Sequence, residues 1–426
     1  MWSDAIGKEF TKMNEKVWHK IKREEMQPGR RCFKHKWVFE IKRNGRFRAR
    51  LVACGYSQIP GVDFEQAYSA VANDVTFRII IIIMLVWKLS AIIFDVETAF
   101  LYGKLDQKIY MECPEGMEHE EDECVQIDRA MYGLAQASHV YYSTYSKIIE
   151  SFRFKMCPTD PCLFMRQDED GICIILCYVD DNLVVGNPKA IEKLRKQLDE
   201  SELTYTVEEK VTDYLSCEIQ VAKDGKSAWL GQPHMVNTIE KEFGEEGSVM
   251  MRDARDPSLW NCPSCRGRRD SRYKSGVGML MYLLKHSRPD ITNPIREITK
   301  VLERCTQAAY KEMPRCIKFV LDTKLKGLKV EPVSEDGKWQ LVVYSDSDWA
   351  GDKDNRRSVG SYIIFLNNVP IAWRSKLQKT TSLSSSEAEF YACGEAVKEV
   401  PFIGEVLMFL GIPLELPVQF MCPPLV

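Results

Sequence analysis

The sequence predicts an α+β protein of two or three domains, and three observations lead there. The chain has 426 residues, too many for one ordinary core. Its 45% hydrophobic and 28% charged content is that of a soluble globular protein. Strand-like apolar runs and helix-like amphipathic stretches then alternate along its whole length.

The elements follow in order. In "KWVFEIKRNGRFRARLVACGY", Asn44-Gly45 is a strong hairpin dipeptide between two strands. The second strand alternates Arg46, Arg48 and Arg50 with Phe47, Ala49 and Leu51, which puts three guanidinium groups on one face. The apolar block 75–93 is a core helix or strand, because Ile79 to Trp87 is far shorter than the roughly 20 residues a bilayer needs. "IIFDVETAFLYG" reads as a strand feeding a turn or short helix at Asp95. An acidic loop with Pro114 and Gly116 spans about 112–124, a helix 140–154 and a hairpin 172–186. Ile191, Leu194 and Leu198 recur at helical spacing in an amphipathic helix. Strands are expected at 213–222 and 227–231. Residues 252–272, with no apolar period and many Arg, Pro and Ser, read as a linker. Helices are expected at 275–286, 289–304 and 308–324. Strands follow at 339–346, 359–366 and 369–374, with Asn367-Asn368 at a turn, and helices at 386–399 and 402–410.

Charge is polarised although the net is only −3. Residues 1–60 carry 15 Lys/Arg against 6 Asp/Glu, whereas 101–128 carry 2 against 9. The basic part could track a phosphate backbone. Fifteen cysteines scattered singly, without a secretory leader, indicate reduced thiols in a cytoplasmic or nuclear protein that is neither secreted nor membrane-bound. Cys262 and Cys265 form a single CxxC, a weak zinc signal without a second pair.

One stretch raises a chemical question. "CYVDDNLVVG" carries Asp180 and Asp181 between apolar runs. Asp is a common turn former, so the pair can be solvated punctuation. Alternatively, adjacent carboxylates raise each other's pKa unless a cation such as Mg²⁺ sits beside them. Asp95, where the run Ala91–Phe94 ends, would complete a three-carboxylate set able to hold two metal ions. Taken alone, Asp95 can equally be a helix N-cap.

The blocks "KWVFEIKRNGRFRARLVACGYSQIPGVDFEQAYSAV", "FDVETAFLYGKLDQKIYMECPEG", "MYGLAQAS" and "CYVDDNLVVG" stand in this order. "SGVGMLMYLLKHSRPDI" and "YSDSDWAGDKDNRRSVGSYIIFL…AWRSKLQKTTSLSSSEAEFYA" follow. Together they resemble the reverse transcriptase of Ty1/copia-type LTR retrotransposons, over nearly the whole chain. The resemblance implies a right-hand polymerase: fingers and palm over 1–250, a linker and helical thumb or connection over 251–335, and a truncated ribonuclease H-like α/β domain over 336–426. It implies RNA-directed DNA polymerase activity with Mg²⁺ or Mn²⁺, on an RNA or DNA template-primer with deoxynucleotides. A catalytically inactive remnant that only binds nucleic acid is the alternative.

Residue by residue, Asp95, Asp180 and Asp181 match the family's metal-binding carboxylates. Phe100 matches the aromatic beneath the sugar of the incoming nucleotide, where a ring would exclude a ribose 2′-OH; core packing is its plainer reading. Gln136 matches a position near nucleotide and template. Arg48 or Arg50 matches the cation that holds the triphosphate, and spacing does not choose between them. Tyr178 would lie near the primer terminus. Asp346 and Glu389 resemble the first two ribonuclease H carboxylates, although Ser386 and Glu389 also stand in capping-box relation. Where the family carries further acidic ligands this chain reads "QFMCPPLV", so no RNA cleavage is expected. Other departures are Ser138, His139, Val140 and Tyr141 in place of a Pro-Arg-x-Trp run, and Ser216 in place of Gly. The chain reads as a fragment of an element, without capsid, protease or integrase parts.

Overall fold

The computed structural model describes residues 1–41, 45–244, 263–303, 305–333 and 338–422, with side chains of the helix that begins at 263 described from 270 onward. The chain divides into two compact units, Met1–Ala72 with Ile93–Glu208, and Asn73–Ile92 with Glu209–Val426. The isoleucine-rich segment belongs to the later unit.

The first unit is built on a six-stranded sheet. Its order is Tyr205–Glu208, Ser90–Val96, Asp181–Gly186, Gly171–Tyr178, Leu163–Asp168 and Lys155–Met156. Ile174, Ile175, Leu176, Leu183, Val184 and Val185 are all fully buried. Both faces of these central strands are covered, which is why their sequence is continuously apolar instead of alternating. The helix Pro188–Asp199 covers one face, turning Ala190, Ile191, Leu194 and Leu198 inward. The helix Ala137–Ser151 buries Tyr141, Tyr145 and Ile149, one per turn on a single stripe.

A second sheet in this unit runs Trp18–Lys22, Glu123–Arg129, Lys104–Met111 and Cys32–Phe33. Its core holds Met13, Val17, Phe33, Ile109, Met111, Val125 and Ile127. The expected N-terminal hairpin forms from His35–Ile41 and Phe47–Ala53 in antiparallel register. Ala49 and Leu51 point inward as the alternation required, while Asn44 of its turn lies outside the described residues.

In the second unit the helix Asp74–Val86 carries five consecutive isoleucines, Ile79 to Ile83, none of them exposed. Arg78, at 3% exposure, is the one cation inside this apolar helix. It donates to the carbonyls of Ile371 (2.7 Å), Lys285 (2.5 Å) and His286 (3.3 Å) and stacks 4.0 Å from the Trp373 ring centroid. Those bonds and the ring offset part of its desolvation, which still lowers the guanidinium to about 10, and its Nε is buried without a partner. Helices Pro233–Phe243, Pro263–His286, Thr292–Thr299 and Gln307–Asp322 enclose a core of Phe243, Tyr273, Leu280, Met313 and Ile317. A last sheet runs Val369–Leu377, Val359–Leu366, Leu341–Asp348 and Gln419–Met421, the final pair being parallel. The helix Ser385–Val397 packs on it.

Two expectations change. The strand expected at 213–222 is a hairpin, Asp213–Tyr214 with Cys217–Val221, turning at Leu215 (φ 54°) and Ser216 (φ 59°). Both adopt the left-handed conformation that hairpin turns need, without the usual Gly or Asn. The linker expected over 252–272 is helical from Pro263 onward; the rest of it, Cys262 and the side chain of Cys265 lie outside the described residues.

Candidate active site at the hairpin crest

The strands Gly171–Tyr178 and Asp181–Gly186 pair from Cys173↔Gly186 to Tyr178↔Asp181, leaving Val179 and Asp180 as a two-residue loop. Such loops need a left-handed residue. Here it is Val179, at φ 57°, while neither aspartate has positive φ. A β-branched residue is among the least suited to that conformation. Asp180 is thus one of the two turn residues, as a turn former can be, but the left-handed position falls on Val179, and Asp181 opens the returning strand.

Asp95 lies within the strand Ser90–Val96, opposite Thr206, so it is not a helix cap. That strand neighbours Asp181–Gly186, and the Val96 amide donates to the Asp180 carbonyl at 2.9 Å. The Asp181 carboxyl is pushed up to about 7, first by burial and then by the charges of Asp180 and Asp95, a hydrogen bond with Asp95 and the charge of Glu208. Acids that resist ionising beside one another are a place where a cation would be stabilised, and three hard carboxylate oxygens suit Mg²⁺ or Mn²⁺. Among the described residues no group of three or more His, Cys, Asp or Glu side chains is placed to hold a metal ion as it stands. The aspartates are gathered as a hydrogen-bonded pair with Asp180 as a charged neighbour.

Tyr178, opposite Asp181, is 38% exposed and flanks the crest. Phe100 follows Thr98, itself left-handed at φ 55°, and is half-buried. Its ring stands edge-to-face on Tyr132 (centroids 5.1 Å) and Tyr141 (6.2 Å). The Arg50 guanidinium lies 5.0 Å from the Tyr132 ring centroid and 3.6 Å from Glu40. Arg48 pairs with Glu40 in the hairpin register. Burial raises the Tyr132 hydroxyl, and it feels the charges of Arg50, Arg48 and Asp180 together. One aromatic ring therefore sits electrostatically between the arginine hairpin and the crest. Burial also raises Tyr141 well above its usual value, with Asp180 and Asp95 among the contributing charges, and its hydroxyl is buried without a hydrogen bond.

Gln136 is buried, and its amide is engaged within the protein. Its oxygen accepts from Gln58 Nε2 (3.0 Å) and its nitrogen donates to the Asp63 carbonyl (3.3 Å). Gln58 in turn accepts from the Ala135 amide at 2.7 Å.

Two residues, Asn182 and its partner Tyr145, were missed by sequence reasoning. Asn182 is fully buried. Its nitrogen donates to the carbonyls of Asp180 (2.8 Å) and Phe94 (3.4 Å), and its oxygen accepts from the Tyr145 hydroxyl (2.6 Å). A signal existed: a lone amide directly before the apolar run Leu183–Val185 must find partners if buried.

In the second unit, Asp346 lies on the strand Leu341–Asp348 and Glu389 on the helix Ser385–Val397. Glu389 accepts from the Ser347 amide at 3.1 Å, and its other oxygen is buried without a partner. Burial, followed by the Asp346 charge, raises its carboxyl. The capping box is formed by other residues than expected. Ser384 accepts from the Glu387 amide (3.1 Å), and Glu387 accepts from the Leu383 amide (2.7 Å), so Glu389 is not needed as a cap. Of the stretch "QFMCPPLV", Gln419–Met421 forms the strand parallel to Leu341–Asp348 and brings no acidic side chain there, while the part beyond Cys422 lies outside the described residues.

Comparison with known proteins identifies the family. Residues 15–250 match the family described as reverse transcriptase (RNA-dependent DNA polymerase). The chain is 32% identical over 408 residues to the retrovirus-related Pol polyprotein from transposon TNT 1-94 of Nicotiana tabacum, covering 91% of this chain and 30% of that protein. It is 29% identical to the corresponding polyprotein from transposon RE1 of Arabidopsis thaliana (91% and 27%). It is 25% identical to the transposon Ty1-DR6 Gag-Pol polyprotein of Saccharomyces cerevisiae (88% and 22%). The chain thus spans less than a third of the length of these relatives.

Proposed function

The chain belongs to the reverse transcriptase (RNA-dependent DNA polymerase) family, and from that premise we propose that it is the RNA-directed DNA polymerase part of a copia-type retrotransposon. Asp95, Asp180 and Asp181 are its catalytic carboxylates. The observation that carries this reading is the gathering of these three acids on adjacent strands, with Asp181 pushed up to about 7. The primer 3′-oxygen forms a bond to the α-phosphorus of a deoxynucleotide, and the bond to pyrophosphate breaks. Asp95, Asp180 and Asp181 would hold Mg²⁺ or Mn²⁺, which would supply activation of the primer hydroxyl and charge neutralisation of the pyrophosphate.

The chain's own residues do the rest. Phe100, held edge-on between Tyr132 and Tyr141, limits space beside the sugar and selects against a 2′-hydroxyl. Arg50 or Arg48 holds the triphosphate with the forked geometry that suits phosphate oxygens. Tyr178 contacts the primer end. Gln136 acts by bracing the segment 58–63 against the start of its helix. In this reading residues 1–250 are fingers and palm, 251–335 a linker and thumb or connection, and 336–426 a ribonuclease H-like domain. Template-primer and deoxynucleotides are its partners. No helix among the described residues is long and apolar enough to cross a membrane, and the thiol usage supports a cytoplasmic or nuclear location.

A second reading, nucleic-acid binding without polymerisation, is favoured by one observation: among the described residues no group of three or more acidic, His or Cys side chains is placed to hold a metal ion. Primer extension on an RNA template with Mg²⁺ separates the two. Extension that vanishes in Asp180→Asn supports polymerisation; no extension, with salt-sensitive RNA binding retained, supports the second reading.

A further inference from the structure

Beyond the sheet pairing that already joins the two strands bearing Asp95 and Asp181, one buried side chain bridges them. Asn182 donates to the Asp180 carbonyl at 2.8 Å and to the Phe94 carbonyl at 3.4 Å. The Asp180 carbonyl also accepts the Val96 amide at 2.9 Å. Both chain neighbours of Asp95 are therefore fastened to the crest, Phe94 through the Asn182 amide and Val96 directly. The Asn182 oxygen accepts from the Tyr145 hydroxyl at 2.6 Å, which fixes which end of the amide faces the carbonyls. Tyr145 is itself held in the buried stripe of its helix, edge-to-face on Phe164 with centroids 6.3 Å apart.

Core packing alone does not call for this arrangement. Asn182 stands opposite Cys177 in the hairpin, next to Leu183 and Val184, all of them buried. An apolar residue would fit that setting without the cost of burying an amide. What the amide supplies is direction, by fixing the backbone on both sides of Asp95 relative to the backbone of Asp180.

We propose that Asn182, oriented by Tyr145, is a positioning residue that sets the separation of Asp95 from Asp180 and Asp181 for a divalent cation. It rests on the reading of these aspartates as the cation site. Neither residue contacts the cation. They act on it as outer-layer groups act in metal sites, by fixing how the ligands point.

The test is titration of Mn²⁺ into the full chain, with free Mn²⁺ followed by its electron paramagnetic resonance signal and thermal unfolding measured alongside. Wild type is expected to show saturable binding that Asp180→Asn abolishes. Tyr145→Phe and Asn182→Leu are each expected to weaken Mn²⁺ binding about tenfold while the protein remains folded. The double variant, in which both partners are apolar, is expected to regain thermal stability relative to the single variants without regaining affinity. Unchanged Mn²⁺ affinity in folded Tyr145→Phe and Asn182→Leu, with only a lower Tm, overturns the positioning role. Affinity that returns together with stability in the double variant overturns it as well. If wild type and Asp180→Asn bind Mn²⁺ alike, the cation site itself is wrong and this proposal goes with it.

Discussion

The carboxyl of Asp181 is hydrogen-bonded to that of Asp95, so two acids from adjacent strands share a proton up to near neutral pH. Because the folded-state value of about 7 lies above the ordinary 3.8, the folded chain holds a proton that the unfolded chain has released between these two values. The stabilising contribution is therefore complete below about 3.8 and is lost as pH rises through about 7. Asp181→Asn is expected to raise the Tm relative to wild type most at pH 8, less at pH 5, and to leave it nearly unchanged below about 3.8. Thermal unfolding across that range, without divalent cations, checks it.

Val179 is expected to tolerate glycine structurally but not functionally. Its left-handed φ of 57° is strained for a β-branched side chain, so Val179→Gly should be neutral or stabilising by about 1 kcal/mol. Urea denaturation measures the first effect. Slower primer extension, from a looser loop beside the aspartates, is the second.

Shrinking the Phe100 ring should admit ribonucleotides. The edge-to-face contacts with Tyr132 and Tyr141 keep the ring in place, and Phe100→Ala removes it. Discrimination between dCTP and CTP, measured as the ratio of kcat/KM values, is expected to fall on the order of tenfold.

Gln136→Leu should act on stability. The substitution leaves the Gln58 amide without its acceptor in a buried setting, a loss of about 1–3 kcal/mol. A lower urea midpoint at unchanged m value would show it.

Substitutions at Ser384 and Glu389, at the start of the helix Ser385–Val397, should act oppositely. Ser384→Ala breaks the capping box with Glu387 and is expected to cost about 1 kcal/mol. Glu389→Gln removes a charge that burial and Asp346 disfavour. It should stabilise the protein above the raised pKa of Glu389, and the gain should vanish in acid where that carboxyl is neutral. Unfolding at two pH values distinguishes them.

Much of this architecture was legible because burial leaves a coarse mark. Ile172 to Leu176 and Leu183 to Val185 are apolar at every position because both faces of the sheet are covered, and the helix of Ile191, Leu194 and Leu198 shows its one buried stripe. Features that depend on a single backbone angle were not legible. Val179, Leu215 and Ser216 turn the chain with residues that carry no turn signal. Three consecutive serines, Ser384 to Ser386, leave the capping box ambiguous by two residues until the helix start is seen. The aspartates could be gathered from sequence as a constellation, but the Tyr145–Asn182 bond spans 37 positions and joins elements of different period.

The Arg78 anchorage has a consequence for biosynthesis. Its partner carbonyl at Ile371 is made 293 residues later, and the one at Lys285 is made 207 residues later. At about 5–20 residues per second, the ribosome needs roughly 15–60 s to reach the farther partner. For that time five consecutive isoleucines have emerged on a nascent chain that lacks the strands and helices meant to cover them. Yield in a cell should therefore depend on chaperone occupancy of this stretch during translation more than on the stability of the finished molecule.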